Sequence, residues 1–260
     1  MEVSSLLQGS ELDYLFSETG PIANQVDGFT FREQQLCLAE AVDECIATNG
    51  RLIAEAGTGT GKTFAYLVPA LLSRKRVIIS TGTKTLQEQL FHRDLPSIRD
   101  ALKVPISIAM LKGRANYLCP YRLERELQEG WLFSKSEVTY LENIRDWAGR
   151  TKTGDLSELT TVPEDAPIRT RVASTPESCL GGDCPRADEC FLKDARRKAQ
   201  EADILVVNHY LLFADMMVKA DGFGEILPGA NAFILDEAHQ IPEIAADFFG
   251  KALSSRQIQE

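Results

Sequence analysis

Two hydrophobic rhythms alternate along this 260-residue chain. From Arg32 to Thr48 the apolar positions Leu38, Val42 and Cys45/Ile46 recur at helical spacing. Leu52-Ile53-Ala54 predicts a short buried strand, followed by a helix from Lys62 towards Leu72. Val77-Ile78-Ile79 predicts a second strand, then a helix from about Lys84 to Leu95 that Pro96 ends. Ile106-Ser107-Ile108 reads as a third strand. This alternation predicts an α/β fold, a parallel sheet with crossover helices.

The rhythm breaks after Gly113. Residues 116–150 read as helical through Val138, Leu141, Ile144/Arg145 and Ala148, whereas 151–185 are rich in Thr, Pro, Gly and Asp with little periodicity. A helix from Ala187 to about Gln200 follows. Strands resume at Ile204-Leu205-Val206-Val207 and at Phe233-Ile234-Leu235. Residues 113–200 therefore read as an insertion, short of apolar core, between the two parts of the α/β domain, 1–112 and 201–260. Residues 1–28, with turn formers at Gly20-Pro21 and Asp27-Gly28, are expected to be loosely ordered.

Between the first predicted strand and its helix lies Ala56-Gly57-Thr58-Gly59-Thr60-Gly61-Lys62-Thr63. The crowded charge of a nucleoside triphosphate needs backbone N–H groups that converge without side-chain obstruction. Gly57, Gly59 and Gly61 permit that, and the helix directs its positive dipole end at the phosphates. Lys62 would reach the β- and γ-phosphates of ATP, and the Thr63 hydroxyl would ligate Mg²⁺. At the end of the last predicted strand stands Asp236-Glu237-Ala238-His239. An acidic residue at the C-terminal end of a buried strand sits where α/β sheets bind ligands. Asp236 there would hold Mg²⁺ and Glu237 would polarise an attacking water. Spacing gives His239 no role.

Four cysteines lie between these two motifs, Cys119 and then Cys179, Cys184 and Cys190 in a C-x4-C-x5-C pattern. Four thiolates can hold a zinc ion or an iron–sulfur cluster. The absence of a C-x2-C pair favours the larger object, with zinc and free buried cysteines remaining open and [2Fe–2S] indistinguishable from [4Fe–4S]. Cys37 and Cys45, on the first predicted helix, read as core residues.

Composition changes the picture in two respects. Nothing approaches the length of an apolar membrane span, and the acidic first twenty residues lack the pattern of a signal peptide, so a cytoplasmic, reducing location is expected in which cysteines are metal ligands or core residues rather than disulfides. The net charge of −10 is unevenly spread. Residues 1–60 hold ten acids and two bases, residues 61–114 ten bases and three acids. The second segment is compatible with a phosphate-binding face, or with solvated helix surfaces.

Together these strings resemble the N-terminal part of the XPD/DinG-type superfamily 2 helicases, nearest the bacterial DinG and YoaA branch, from about Phe29 onwards. Phe29-Thr30-Phe31-Arg32-Glu33-Gln34-Gln35 resembles the adenine-side motif, in which Arg32 and Gln35 would recognise the base. Glu55 to Thr63 is similar to the Walker A motif. Ser80 to Leu86 resembles motif Ia, which contacts the DNA backbone, and Lys112 to Cys119 resembles the entry to the Fe–S domain. Val207-Asn208-His209 resembles the segment before motif II, and Asp236 to His239 resembles motif II. The resemblance implies a RecA-like P-loop domain carrying a mainly helical Fe–S insertion. It implies a [4Fe–4S] cluster on Cys119, Cys179, Cys184 and Cys190, ATP hydrolysis with Mg²⁺, and 5′-to-3′ translocation on single-stranded DNA or a tailed duplex. A full member continues through an arch insertion and a second RecA-like domain that completes the ATP site. The chain is accordingly expected to be a fragment, a truncated reading frame or a split gene product of such a motor, not competent to unwind alone, and a separate chain supplying the second motor domain is one of the alternatives left open. Two other readings stand beside this one: a non-motor Fe–S DNA-binding module with vestigial nucleotide binding, and an unrelated P-loop ATPase with a zinc staple.

Overall fold

The computed structural model describes residues 11–26, 28–57, 59–129, 134–222 and 224–250. Of the sites expected from sequence, Thr58 lies outside the described residues.

The chain divides into two compact units, one formed by residues 1–110 with 201–260 and the other by 111–200. In the first, helices α1 (Pro21–Gln25), α2 (Glu33–Thr48) and α3 (Lys62–Leu72) lead into strand β1 (Val77–Thr81). Helix α4 (Lys84–Gln89) then passes through a π-helical turn, Leu90–Asp94, into α5 (Leu95–Leu102), followed by strand β2 (Ile108–Met110). After the second unit come β3 (Ile204–Asn208), α10 (His209–Ala220), β4 (Ala232–Leu235) and α11 (Ile241–Phe249). The second unit supplies α6 (Pro120–Glu129), α7 (Lys135–Ala148), α8 (Pro167–Val172) and α9 (Phe191–Glu201).

The sheet is wholly parallel in the order β2-β3-β1-β4. Its inner strands, Val-Ile-Ile-Ser-Thr and Ile-Leu-Val-Val-Asn, are buried at every position, as a strand covered on both faces requires. Register sets Thr81 opposite Asn208 and Ser80 opposite Leu235. The C-terminal ends of β1, β3 and β4 therefore meet along one edge, with Asp236 donating its N–H to the Ser80 carbonyl at 2.9 Å. Helix α2 packs Leu36, Ala39 and Ile46 into a core shared with α3 and the strands.

Several expectations are overturned. Leu52-Ile53-Ala54 forms no strand, and Ile53 is 101% exposed. An apolar triplet becomes a strand only when a ladder accepts its backbone, and among the described residues nothing pairs with the outer edge of β4. For the same reason β4 is not buried throughout: Ala232 and Ile234 face the core while Phe233 (54%) and Leu235 (42%) are exposed. Pro96 ends no helix; it lies in the first turn of α5, directly after the π-helical turn. The third strand lies two residues later than expected. Residues 11–16 are helical with Leu12, Leu15 and Phe16 buried, so this stretch is not loose. Cys37 is exposed, not a core residue.

The second unit is not short of core. Leu118, Leu123, Leu141, Ile144, Leu156, Leu159, Val162, Ile168 and Val172 pack together, several of them from the stretch without periodicity. Helix α7 begins with a capping box between Ser134 and Glu137. Lys112, 2% exposed in its side chain, places its ammonium 2.5 Å from Asp155 and 3.0 Å from the Ser157 hydroxyl. Asp155 in turn accepts from the Ser157 N–H and hydroxyl.

Candidate functional site

The Gly-rich loop runs directly into α3. Gly59 and Gly61 have φ of 78° and 81°, the left-handed region that side chains resist, while Gly57 does not. A Cβ on Gly61 would come 2.1 Å from Gln35 Nε2, because the Gln35 amide is packed against the loop and donates to the Gly61 carbonyl at 2.9 Å. Gln35 is 2% exposed, and its Oε1 is buried with no hydrogen-bond partner among the described residues. Arg32, just before α2, is exposed. The Thr60 hydroxyl donates to the Gly57 carbonyl, and Ala56 is half-buried.

At the first turn of α3 the Lys62 ammonium stands 3.9 Å from Glu237 Oε1. This brings the loop and the Asp-Glu-Ala-His segment together across 174 residues of sequence. Glu237 has φ of 55°, a left-handed conformation that turns the chain off β4 into a short 3₁₀ turn. Asp236 is held at both carboxylate oxygens: Oδ1 accepts the Glu237 N–H at 3.0 Å and Oδ2 accepts the Tyr66 phenol at 3.0 Å. Burial first, and then the neighbouring Asp236 charge, push the Tyr66 pKa well above the ordinary value, so the phenol keeps its proton and acts as a donor. His239 is largely exposed, with Nδ1 3.4 Å from Glu237.

His209, fully buried, spans the strand ends. Nδ1 lies 2.7 Å from the Ser80 hydroxyl and Nε2 lies 2.9 Å from the Asp236 carbonyl oxygen. A carbonyl can only accept, so Nε2 carries the proton and Nδ1 accepts from Ser80. Burial lowers the His209 pKa, consistent with this neutral tautomer. Asn208 caps α10 by accepting from the Leu211 N–H. Sequence reasoning found Asn208 and His209 only by resemblance, and missed Tyr66 altogether. The signal for Tyr66 was its i+3 spacing from Thr63, which stacks the two side chains on one face of α3.

Of the ten bases compatible with a phosphate-binding face or with solvated helix surfaces, Lys112 is consumed by Asp155, and Lys75 donates to the Ile46 carbonyl at 2.6 Å. Arg93 and Arg99 pair with their neighbours Asp94 and Asp100.

In the second unit none of Cys119, Cys179, Cys184 and Cys190 is disulfide-bonded. Cys119, at the head of α6, interacts electrostatically with Cys190 and Cys184, and burial raises its thiol pKa. Arg196 interacts with Cys179 and Cys190, and its buried Nε has no acceptor among the described residues. Among the described residues no three His, Cys, Asp or Glu side chains stand together as a site for a single metal ion.

The DEAD/DEAH box helicase family profile matches residues 33–118. Over 249 residues, 96% of this chain, it is 51% identical to the ATP-dependent DNA helicase YoaA of Haemophilus influenzae. It is 49% identical over 94% of its length to YoaA of Escherichia coli, and 35% identical over 88% to the ATP-dependent helicase DinG of Mycobacterium tuberculosis. The chain spans 37–39% of the length of these relatives. The parallel sheet, the loop at the head of α3 facing Asp236 and Glu237, and this level of identity agree: the chain belongs to the DinG/YoaA-type family of DEAD/DEAH box helicases.

Proposed function

We propose that residues 1–110 and 201–260 form an ATP-binding motor unit of a DNA helicase, with 111–200 as a cluster-bearing module that helps hold single-stranded DNA. The observation that carries this reading is the meeting of Lys62 with Glu237 beside a doubly held Asp236. Lys62, Gly59, Thr60, Gly61 and Thr63 would cradle the phosphates, with Ala56, Gly57 and Thr58 completing the loop. The Lys62 ammonium would exchange Glu237 for phosphate oxygens, freeing that carboxylate to orient and deprotonate water. Thr63 and Asp236 would hold Mg²⁺, which supplies charge neutralisation at the phosphates. The orphaned Gln35 Oε1 suits a base amino group, and exposed Arg32 stands near the start of the same helix.

The four cysteines would hold a [4Fe–4S] cluster. Two facts support the fit: the thiols form no disulfide, with Cys119 near enough to Cys184 and Cys190 to interact, and Arg196 presents beside Cys179 and Cys190 a buried N–H that nothing among the described residues accepts. An anionic cluster would supply that acceptor and add a structural tie among segments far apart in sequence. Translocation with 5′-to-3′ polarity, and duplex unwinding, are read as properties of a whole helicase in which a second RecA-like domain completes the ATP site.

The experiment is ATP turnover with and without single-stranded DNA, in wild type and in Glu237→Gln. The reading expects DNA-stimulated hydrolysis that Glu237→Gln abolishes while ATP binding persists. Binding of nucleotide with hydrolysis unchanged in Glu237→Gln would contradict it.

A further inference from the structure

We propose that Tyr66 is a positioning residue for the metal ligand Asp236, its phenol fixing one carboxylate oxygen so that both oxygens keep a free lone pair for Mg²⁺. The inference rests on the reading of Asp236 as that ligand. Tyr66 lies in the first two turns of α3. The Tyr66 ring belongs to the core of the first unit, so its hydroxyl has little freedom to choose another partner. It meets Asp236 Oδ2 at 3.0 Å.

Proton accounting fixes the direction of each bond. An ionised carboxylate only accepts, so the single phenol proton goes to Asp236. Asp236 uses one direction on Oδ1 for the Glu237 N–H and one on Oδ2 for the phenol. Each oxygen retains a second acceptor direction. Without the phenol, the carboxylate would lose one of its two anchors.

A purely structural Tyr66, satisfying its hydroxyl on the nearest acceptor, makes a different prediction: lost stability with no metal-specific effect. The test is Tyr66→Phe, which keeps the ring in the core, with melting temperature measured alongside. ATP affinity is titrated by calorimetry in EDTA and again in saturating Mg²⁺, for wild type, Tyr66→Phe and Asp236→Asn. The expected result is unchanged affinity in EDTA for Tyr66→Phe, with the Mg²⁺-dependent gain reduced about tenfold, the scale of one hydrogen bond to a charged group. Asp236→Asn should abolish the gain. An undiminished Mg²⁺ gain in Tyr66→Phe, with Asp236→Asn defective, would overturn the role of Tyr66 alone. An undiminished gain in Asp236→Asn would overturn the underlying metal assignment and this inference with it.

Discussion

Replacing Lys112 by Met should selectively unfold the second unit. The Lys112 ammonium and the Asp155 carboxylate are 2.5 Å apart, with side chains 2% and 6% exposed. Removing one member of a buried pair leaves the other charge uncompensated, a loss of about 3–5 kcal/mol. Asp155 keeps two donors from Ser157, the N–H at 2.9 Å and the hydroxyl at 2.8 Å, which places the expected loss near the lower end. For a unit of this size, about 3 kcal/mol corresponds to a fall in melting temperature of about 12 °C or more. Hydrogen exchange followed by mass spectrometry reads the two units separately. Protection should drop across 111–200 while β1 and β3 keep theirs. Adding Asp155→Asn, which retains an acceptor for Ser157 but removes the stranded charge, should recover part of the loss. A Lys112→Met chain with wild-type protection throughout 111–200 would refute the reasoning, because a pair this buried cannot be lost without consequence.

The remaining predictions concern the cysteines and His209. Anaerobically purified protein should contain iron and sulfide in near-equal amounts, and Cys184→Ser should lose both; stoichiometric zinc without sulfide would exclude the cluster. Because the second unit has its own apolar core, Cys184→Ser should retain most of the helical signal of α6 to α9. His209→Ala strands the Ser80 hydroxyl and the Asp236 carbonyl, each buried loss costing about 1–3 kcal/mol, and should lower the urea midpoint accordingly. Burial holds the folded His209 pKa below its unfolded value, so its contribution is complete above about pH 6.5 and is lost as pH falls through the lower folded value. Urea melts from pH 7 to pH 5 should show a steeper loss in wild type than in His209→Gln, and parallel curves would remove His209 as the cause.

The inner strands were legible because continuous apolar runs bounded by polar residues suit a strand buried on both faces, as Ile204 to Val207 illustrates. Leu52-Ile53-Ala54 has the same local character but lacks a ladder partner, and partnership is a non-local property that no window of sequence contains. The core of the second unit was hidden for a related reason. Leu156, Leu159, Val162, Ile168 and Val172 reach it from turns and short helices, where burial follows no period. The candidate nucleotide site was legible as two strings, since Gly-Lys-Thr and Asp-Glu-Ala-His each carry chemistry on their face. What ties them together was not. Tyr66 reads as one more apolar residue of α3, and His209 as a helix start, until the fold brings both to Asp236. Gln35 was reached only through resemblance, and its contact with Gly61 supplies the physical reason that a glycine stands there.

The central claim is that the loop at the head of α3 binds the phosphates of ATP opposite Asp236 and Glu237, and calorimetric titration of Mg–ATP into wild type and Lys62→Ala tests it most directly. Lys62 is a third exposed and its contact with Glu237 is long, so the substitution should leave the melting temperature nearly unchanged. Charge-assisted bonds to phosphate are strong, so affinity should fall about tenfold or more. Equal Mg–ATP affinity in the two folded proteins would contradict the account, because nucleotide would then be bound elsewhere.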